Sequence, residues 1–547
     1  MITKSQNRLW QGTCYLIAIV LMSPLLVLLY EGINASTNLF YHLWQTVLPD
    51  YIKNTVLLGI YSVILSVIFG VISAALIVHT NVAGKAILRW LLMLPLAMPA
   101  YLVAYLYTDL FDYAGPIQRT LRLWFSWQTP DDYWFFDIRT LGGASIVIAL
   151  VLFPYVYMLA KNAFEQQDQN LLKASRLLGL STTQSFFKVA LPLARPAIAV
   201  GASLVLMEAL ADFATVQYFA VNTLTTAIYD TWLGYSDLAT ANALASVLML
   251  FIFIAVITEQ RAQAGKVHQS NRINKNHQTI ILSSFSQIVA SGFCWLLAIT
   301  GFILPFLLLL TMTWQYSTSE QLYALSESAM NSVTVAFWAA NISVLLALFL
   351  ALFKRLGTSK WRYWPMQISG FGYAIPGTVL AMAMMSTLAP IDYMINDLAK
   401  FFNYPTPGLI LSGSIFAIIF AYTVRFSAIA NGTIDSGIKQ ISPSIDLAPA
   451  SLGVNLVTML RKIHLPLLKS SIWVAWLLIF VEAMKELPAV LLLRPFNFET
   501  LSTQIYQLIS DEMLEQGALG AIVIVLMGLL PVIWLNKNDN TTNNKKG

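Results

Sequence analysis

Residues 173–192 read Lys173-Ala-Ser-Arg-Leu-Leu-Gly-Leu-Ser-Thr-Thr-Gln-Ser-Phe-Phe-Lys-Val-Ala-Leu-Pro192, and the same design returns at 447–466, 274 positions later. In each copy a glycine follows a short helical stretch, where it can take the left-handed conformation that ends a helix. A second short amphipathic stretch then leads to Leu-Pro and a long apolar run, and proline suits the first turn of a new helix. The repeat predicts an internal duplication. It also predicts a helix, a turn and a helix on the water side of a membrane in each copy.

The two copies match beyond this stretch. Residues 174–212 align with residues 448–486 without a gap. Identical pairs in this alignment include Lys188 and Lys462, Glu208 and Glu482, and Ala209 and Ala483. At an offset of 277, further pairs of segments correspond: Asn54-Thr55 with Asn331-Ser332, Pro99-Ala100 with Pro376-Gly377, and Thr226–Tyr229 with Thr503–Tyr506. Both halves of the chain therefore carry one copy of a repeated unit.

The composition is that of a membrane protein. Hydrophobic residues make up 57% of the chain and charged residues 11%, whereas a soluble domain has roughly 25% charged residues. Twelve apolar runs have the length of roughly 20 residues that a hydrocarbon core requires. They lie near 10–30, 55–78, 90–111, 141–161, 194–215, 240–258, 287–312, 332–353, 365–388, 408–430, 467–492 and 517–535.

Charge alternates between the connections. Basic residues dominate the N-terminus and the even connections, and acids dominate the odd ones, except that the long second odd connection also holds Arg119, Arg122 and Arg139. This alternation indicates that both termini and both signature stretches are cytoplasmic. The net charge of +5 follows from this loop bias and does not indicate nucleic-acid binding. Because each half has six runs, both halves lie the same way up, as in parallel repeats.

The predicted fold is therefore an all-α membrane protein with about twelve transmembrane helices in two parallel-repeated six-helix permease domains. The predicted boundaries are 1–258 for the first domain, 259–285 for a polar, basic cytoplasmic linker, 286–535 for the second domain and 536–547 for a cytoplasmic tail. The tail, rich in Asn, Thr and Lys, is predicted to be disordered.

The glycine-to-Leu-Pro pattern resembles the cytoplasmic signature of permease subunits of binding-protein-dependent ABC importers. That signature is Glu-Ala-Ala, three residues, Gly, nine residues, Ile, one residue, Leu-Pro. The first copy keeps four of its positions and departs at Lys173, Ser175 and Val189; the second departs at Leu447 and Pro449. The resemblance implies that the retained residues belong to loops that couple the permease to an ATPase: Ala174, Gly179, Leu191, Pro192, Ala448, Gly453, Leu465 and Pro466.

The chain has no phosphate-binding loop of the form Gly-x-x-x-x-Gly-Lys-Ser/Thr. We therefore expect no enzymatic activity and no cofactor on this chain, with ATP bound by a partner. The resemblance implies two ATP-binding cassette ATPase subunits, one for each loop, and a soluble substrate-binding protein. Lipid surrounds the helices, and the expected location is the bacterial cytoplasmic (inner) membrane.

Acidic residues inside the predicted spans are the candidates for the translocation path. Glu208 and Asp212 lie four apart on the fifth run, and Glu482 and Glu486 lie four apart on the eleventh, so each pair is predicted to share one helix face. Acids at this depth are costly and normally face protein or water. A buried structural cluster is the alternative role, and Lys485 is placed to neutralise part of the second pair. No metal site is firmly assigned.

Several segments are similar to the ferric-iron permeases of the superfamily, which have two fused halves: 207–219, 225–234 and 486–495. This similarity implies that the cargo is ferric iron. Acids on the path also suit a hard cation better than an anion. Fused permeases for thiamine have the same architecture and remain an alternative. An ion-coupled secondary transporter, with the acids as its ion relay, is an alternative of another class.

Overall fold

The computed structural model describes every residue except 1–3, 35–37, 264–279, 317–318, 358, 443, 447–455 and 545–547. The described chain is helical, and it contains no β-strand; its one β-type contact is an isolated bridge between Thr80 and Ile280. The predicted all-α class is confirmed. Most of the central linker, 264–279, lies outside the described residues.

Ten helices in the described ranges are long and apolar enough to cross a membrane, and a pair bent by 96°, Lys85–Ala97 with Ala100–Phe125, adds an eleventh if counted as one span. Leu514–Leu530 is a shorter apolar helix. All twelve predicted runs overlap helices, but the number of spans stays a prediction. The ten are Arg8–Asn34, Leu48–His79, Leu141–Glu165, Thr182–Ala211, Leu238–Ile257, Ser284–Tyr316, Leu322–Leu356, Gly377–Phe401, Ile415–Gln440 and Leu460–Lys485.

The chain forms two compact units, and neither is a contiguous half. One consists of Met1–Tyr41, Ile228–Met249 and Thr318–Gln507. In it the helices Ser319–Leu356, Ile415–Gln440 and Leu465–Lys485 pack against one another, and Lys4–Asn34 packs on Gly377–Phe401. The first helix of the sequence therefore packs with residues of the second repeat, which the predicted boundaries do not anticipate.

The other unit consists of His42–Ala227, Leu250–Ser317 and Leu508–Gly547. Its helices Leu48–His79, Leu141–Glu165 and Leu191–Ala211 form the corresponding three-helix group. Leu304–Tyr316 packs on Leu514–Asn544. That last helix includes 536–544, so the backbone there is helical where the composition predicts disorder.

The α-helices Leu191–Ala211 and Leu465–Lys485 begin at the Leu-Pro pairs, but each continues a helical turn that precedes it without a break. A π-helical turn precedes each pair, at Phe186–Ala190 and again at Leu460–His464. The backbone N–H of Leu191 donates to the carbonyl of Phe186, five residues back, and Leu465 donates to Leu460 in the same way. Because proline has no N–H and its ring clashes with the carbonyl four residues back, a wider turn allows the helix to continue through it. Proline therefore lies in the first turn of each α-helix, as the sequence predicts, but a π-helical turn rather than a non-helical break precedes it.

The duplication extends to unusual backbone conformations. Six non-glycine residues of the described chain have a positive φ, and they form three pairs at an offset of 276 or 277: Ser126 with Asn403, Ala220 with Asn497, and Ser236 with Glu512. Left-handed conformations are uncommon for such residues. Their recurrence at equivalent positions indicates that the connections, as well as the helices, were copied.

Hydrogen bonds between these helices and distant loops are also repeated. Asn54 Nδ2 donates to the carbonyl of Asn222 at 3.0 Å, and Asn331 Nδ2 donates to that of Glu499 at 2.9 Å. The hydroxyls of the neighbouring residues also accept equivalent hydrogen bonds. Thr55 Oγ1 accepts from the backbone N–H of Leu224 at 2.9 Å, and Ser332 Oγ accepts from the backbone N–H of Leu501 at 2.8 Å. The matching Asn-Thr and Asn-Ser pairs thus attach equivalent loops to equivalent helices.

Candidate coupling loops and intramembrane acids

The first signature segment, residues 173–192, contains the predicted left-handed glycine. The helix Gln169–Leu177 has its C-cap at Leu178, and the next residue, Gly179, has φ +88°. The N–H of Gly179 donates to the carbonyl of Arg176 at 3.0 Å, and that of Leu180 donates to Ser175 at 3.2 Å. This pair of bonds is the Schellman motif, which satisfies the last carbonyls of a helix and requires a left-handed residue.

Polar contacts hold the two short helices of this segment in one arrangement. Ser181 and Gln184 form a reciprocal capping box at the start of the second helix, which satisfies two backbone N–H groups. The buried hydroxyls of Ser175 and Ser185 lie 2.5 Å apart. Gln167 Nε2 donates to the carbonyl of Ala190 at 2.8 Å, which connects the loop to the π-helical turn. The turn at Gly179 therefore has a defined shape.

Apolar side chains project from this turn. Leu177 is 89% exposed and Leu178 84% exposed, and Phe187 is also exposed; Ala174 lies on the exposed surface of the first short helix. An ideal Cβ at Gly179 would have no heavy atom within 4 Å. Clustered exposed apolar residues indicate an interaction site. The turn at Gly179 therefore presents an exposed apolar surface.

The second signature segment is described only in part. Ala448 and Gly453, which carry its predicted turn, lie outside the described residues. Leu465 and Pro466 are described, directly after the π-helical turn Leu460–His464. They occupy the same structural position as Leu191 and Pro192.

The acids of each pair do not share a helix face, and that prediction is wrong. Glu208 and Glu482 lie in the last turn of their helices, which end at Ala211 and Lys485. Asp212 and Glu486 follow these ends in extended conformations, with ψ of 128° and 124°. Each of these two acids begins a short helix instead.

Asp212 caps the helix Ala214–Tyr218. Its Oδ1 accepts the backbone N–H of Thr215 at 2.9 Å and that of Val216 at 3.4 Å, and its Oδ2 accepts the hydroxyl of Thr215 at 2.8 Å. The hydroxyl of Thr225 donates to the Asp212 carbonyl at 2.8 Å. A carboxylate at a helix N-terminus satisfies free N–H groups and complements the helix dipole. This geometry favours a structural role for Asp212.

Glu486 caps the helix Pro488–Leu493 and also forms a buried ion pair. Its Oε1 lies 3.2 Å from Arg425 Nη1, and the two side chains are 6% and 10% exposed. The same oxygen accepts the N–H of Ala489 at 3.2 Å. Gly377 lies against it, and a Cβ there would overlap the carboxylate. Glu486 is therefore committed to contacts within the protein.

The buried cation Arg425 is a site residue that the sequence analysis does not single out, although it lies within the apolar run 408–430. It lies inside the span Ile415–Gln440. An arginine within an apolar run signals a buried acidic partner, but the partner, 61 positions along the chain, could not be identified from spacing.

Glu208 and Glu482 are less buried than Glu486, and Asp212 has a similar intermediate exposure. Glu208 and Glu482 are both half-buried. Lys485 Nζ lies 3.1 Å from Glu482 Oε1, as the sequence predicts, and the Glu482 side chain is 38% exposed. The first repeat has Ala211 at the position of Lys485. The two helix ends therefore differ in charge.

An open cavity of about 980 Å³, lined by both polar and apolar residues, lies between the helices Ile415–Gln440 and Leu465–Lys485. Much of its lining is uncharged and polar: Thr433, Ser436, Gln440, Ser470 and Ser471. Lining residues of the second helix recur every three or four positions, and the same face continues to Glu482, about 16 Å beyond Ser471 at 1.5 Å per residue. No group of three His, Cys, Asp or Glu side chains in the described ranges is placed to hold a metal ion.

Long apolar helices, a defined water-facing turn and polar groups within the spans define a multi-pass membrane permease. The chain belongs to the family of binding-protein-dependent transport system inner membrane components, whose model matches residues 66–266. It is 26% identical over 511 residues to the Fe(3+)-transport system permease protein FbpB 2 of Haemophilus influenzae, covering 92% of each chain. It is 24% identical over 567 residues to the ferric transport system permease protein FbpB of Actinobacillus pleuropneumoniae, covering 95% of this chain and 78% of the relative.

A third relative covers one part of the chain. The molybdenum transport system permease protein ModB of Escherichia coli is 31% identical over 185 residues, which is 33% of this chain and 72% of that protein. The chain is thus an inner-membrane permease of an ABC importer, and the family implies a substrate-binding protein and an ATPase as partners. Family membership leaves the ion-coupled secondary transporter without support.

Proposed function

We propose that this permease carries ferric iron from a soluble binding protein into the cytoplasm. The observation that carries the proposal is the extent of the similarity. Relatives named for ferric transport match more than nine-tenths of the chain, through both repeats, whereas the molybdenum permease matches one third. Acids near the path also suit a hard cation that prefers oxygen ligands.

In this proposal Glu208 and Glu482 face the translocation path, while Asp212 and Glu486 hold the helix breaks beside it. Two features support the division. Glu482 is partly exposed and lies on the helix face whose serines, Ser470 and Ser471, line the open cavity. Asp212 and Glu486 already accept hydrogen bonds from the helices that follow them.

The test is uptake of radiolabelled ferric iron by cells or vesicles that contain the permease, its ATPase and its binding protein. We expect excess unlabelled ferric iron to compete, and molybdate, sulfate and thiamine not to. Uptake of labelled molybdate, sulfate or thiamine in place of iron would show that the proposed substrate is wrong.

The path is tested with a double variant in which both Glu208 and Glu482 are replaced by Gln. Uptake should be lost while the complex assembles and hydrolyses ATP, because the change removes charge but keeps size. Asp397→Asn is the control, since this carboxylate is 74% exposed beside Lys400. Full uptake by an assembled double variant would refute the path. Loss of assembly would instead indicate a structural role, because buried groups left without partners destabilise the packing.

We also propose that the two signature segments dock two ATPase subunits, one on each, and that ATP is bound only there. The exposed leucines beside Gly179 support this for the first segment. With basic connections inside, both termini are cytoplasmic. Reporter fusions at 265, 325 and 510 should then read inside, outside and outside, and a cytoplasmic signal at either of the last two would contradict this orientation.

A further inference from the structure

A buried amide side chain joins two elements at the base of the first signature segment. Gln167 follows the helix Leu141–Glu165 and is only 8% exposed. Its Nε2 donates to the carbonyl of Ala190 at 2.8 Å, and Ala190 is the last residue of the π-helical turn that precedes Leu191–Ala211. A hydrogen bond in a buried setting is stronger than one in water. It therefore fixes the point at which the first short helix, Gln169–Leu177, begins.

A second buried contact joins the two short helices of the segment to each other. Ser175 lies on Gln169–Leu177, and Ser185 is the last residue of the second short helix. Both serines are buried, and their hydroxyls lie 2.5 Å apart. Ser175 stands where the family signature has alanine, so this contact departs from the family pattern. The helix of Ser185 continues without a break through Thr182–Ala211, and both short helices are thus attached to one long helix.

Aromatic packing holds the π-helical turn independently of these two contacts. The ring of Phe186 lies 5.7 Å from that of Phe164 and 6.3 Å from that of His79. Phe164 is fully buried. Because burial of apolar side chains supplies most of the stability of such a junction, the loss of one hydrogen bond should loosen it without unfolding it.

The second repeat has neither of these hydrogen-bonding side chains. Gln167 stands seven residues before the signature alanine, and Ile441 has the same place in the second copy. Met459 aligns with Ser185. Ile441 and Met459 are buried like their counterparts, but neither side chain has an N–H or O–H donor. The contacts of Gln167 and Ser185 are therefore specific to the first segment.

We propose that Gln167 is a positioning residue which, together with the contact between Ser175 and Ser185, makes the first signature segment move as one body with Leu191–Ala211. The proposal rests on the proposed docking of an ATPase at this segment. Movement of the docked ATPase is transmitted along the helix to Glu208, about 27 Å from Ala190 at 1.5 Å per residue. Without these contacts the first short helix turns about residues 166–168, and the movement is lost there.

The holding role is tested by hydrogen exchange on the full-length permease in nanodiscs, without the ATPase. Gln167→Met keeps the length of the side chain but removes its N–H donor. Exchange at the backbone amides of 169–185 should rise about fivefold, the factor that one typical hydrogen bond contributes to an equilibrium. Gln166→Met is the matched control, because the side chain of this neighbour is exposed. Equal exchange in the two variants would overturn the proposal whether or not an ATPase docks.

The transmission is tested in reconstituted complexes by the amount of substrate moved per ATP hydrolysed. Gln167→Met should lower this ratio about fivefold while the ATPase still binds. Gln167→His should recover part of the ratio, because a ring N–H can donate in place of the amide. A ratio in Gln167→Met equal to that of Gln166→Met would overturn the proposal. Equal ratios in the His and Met variants would show that the donor has no role, and would overturn it too.

Ser185→Ala provides the test if Gln167→Met does not assemble. This change removes the contact with Ser175 and leaves Gln167 in place, so exchange at the amides of 176–181 should rise and the transport ratio should fall. Unchanged exchange with an unchanged ratio would overturn the proposal. Failure of the unmodified permease to bind an ATPase would refute the docking function alone, while the exchange measurement still decides the role of Gln167.

Discussion

Replacing Gly179 with Val is expected to weaken the hold of the permease on its ATPase while leaving the protein in the membrane. Gly179 has φ +88°, and a Cβ there would meet no heavy atom within 4 Å. The new side chain therefore has room, and the cost arises from the backbone alone. The change tests the shape of the turn without creating a clash in the core.

The size of the effect follows from the left-handed conformation. For a residue with a Cβ this conformation costs about 1–2 kcal/mol, and for a β-branched residue the upper part of that range applies because its side chain is stiff. A cost of one or two kcal/mol corresponds to a factor of about 5–30 in an equilibrium. If only the native turn docks, Gly179→Val lowers the apparent affinity for the ATPase by about that factor.

The assay is binding of purified ATPase to the permease in nanodiscs, with Gly179→Asn as the matched control. Asparagine also adds a side chain but enters the left-handed region far more readily. We expect affinity to fall in the order Gly, Asn, Ala, Val, with uptake following the same order. Equal affinities for the Asn and Val variants would refute the backbone explanation. Normal binding and uptake by Gly179→Val would refute docking at this loop.

Two further predictions concern stability. Glu486→Gln removes the carboxylate that pairs with the buried Arg425 and should reduce stability by about 3–5 kcal/mol. Arg425→Met combined with Glu486→Leu should recover most of this loss. Thermal unfolding measures both variants, and an unaffected single variant would contradict the ion pair. Ala220→Asn should stabilise the protein and Asn497→Ala should destabilise it, each by about 1 kcal/mol, because both positions are left-handed. Stability changes of the opposite sign would show that side-chain contacts, rather than the backbone conformation, determine the stability of these turns.

The helical class, the duplication and the glycine turn could be predicted because each leaves a local pattern. Apolar runs of membrane length, a fixed offset between matching residues and a glycine after a helical stretch need no knowledge of distant contacts. The contact between Lys485 and Glu482 was also predictable, because residues three apart on a helix are neighbours.

The helix ends at Ala211 and Lys485 could not be predicted because the local spacing of the acids fits one continuous helix. Acids four apart fit one helix face, but the second acid of each pair instead caps a new helix. Thr215, three residues after Asp212, and Pro488, two residues after Glu486, were the available signals. The π-helical turns were missed for a similar reason, since Leu-Pro is typical of a helix start and only the packed structure shows that the helix continues.

Comparison of the repeats indicates which interactions were kept after duplication. Contacts from a side chain to the backbone recur, as at Asn54 and Asn331, because they depend on the path of the chain rather than on a second side chain. Contacts between side chains have diverged: Asp212 is held by a neighbouring threonine, whereas the longer Glu486 pairs with a buried arginine from another helix. A contact between two side chains depends on the identity of both residues. The same pair is therefore kept in both copies only if neither residue changes, or if both copies acquire compatible substitutions. The repeats therefore share a framework but differ in charge along it, and we expect the two repeats to contribute unequally to coupling because of that difference.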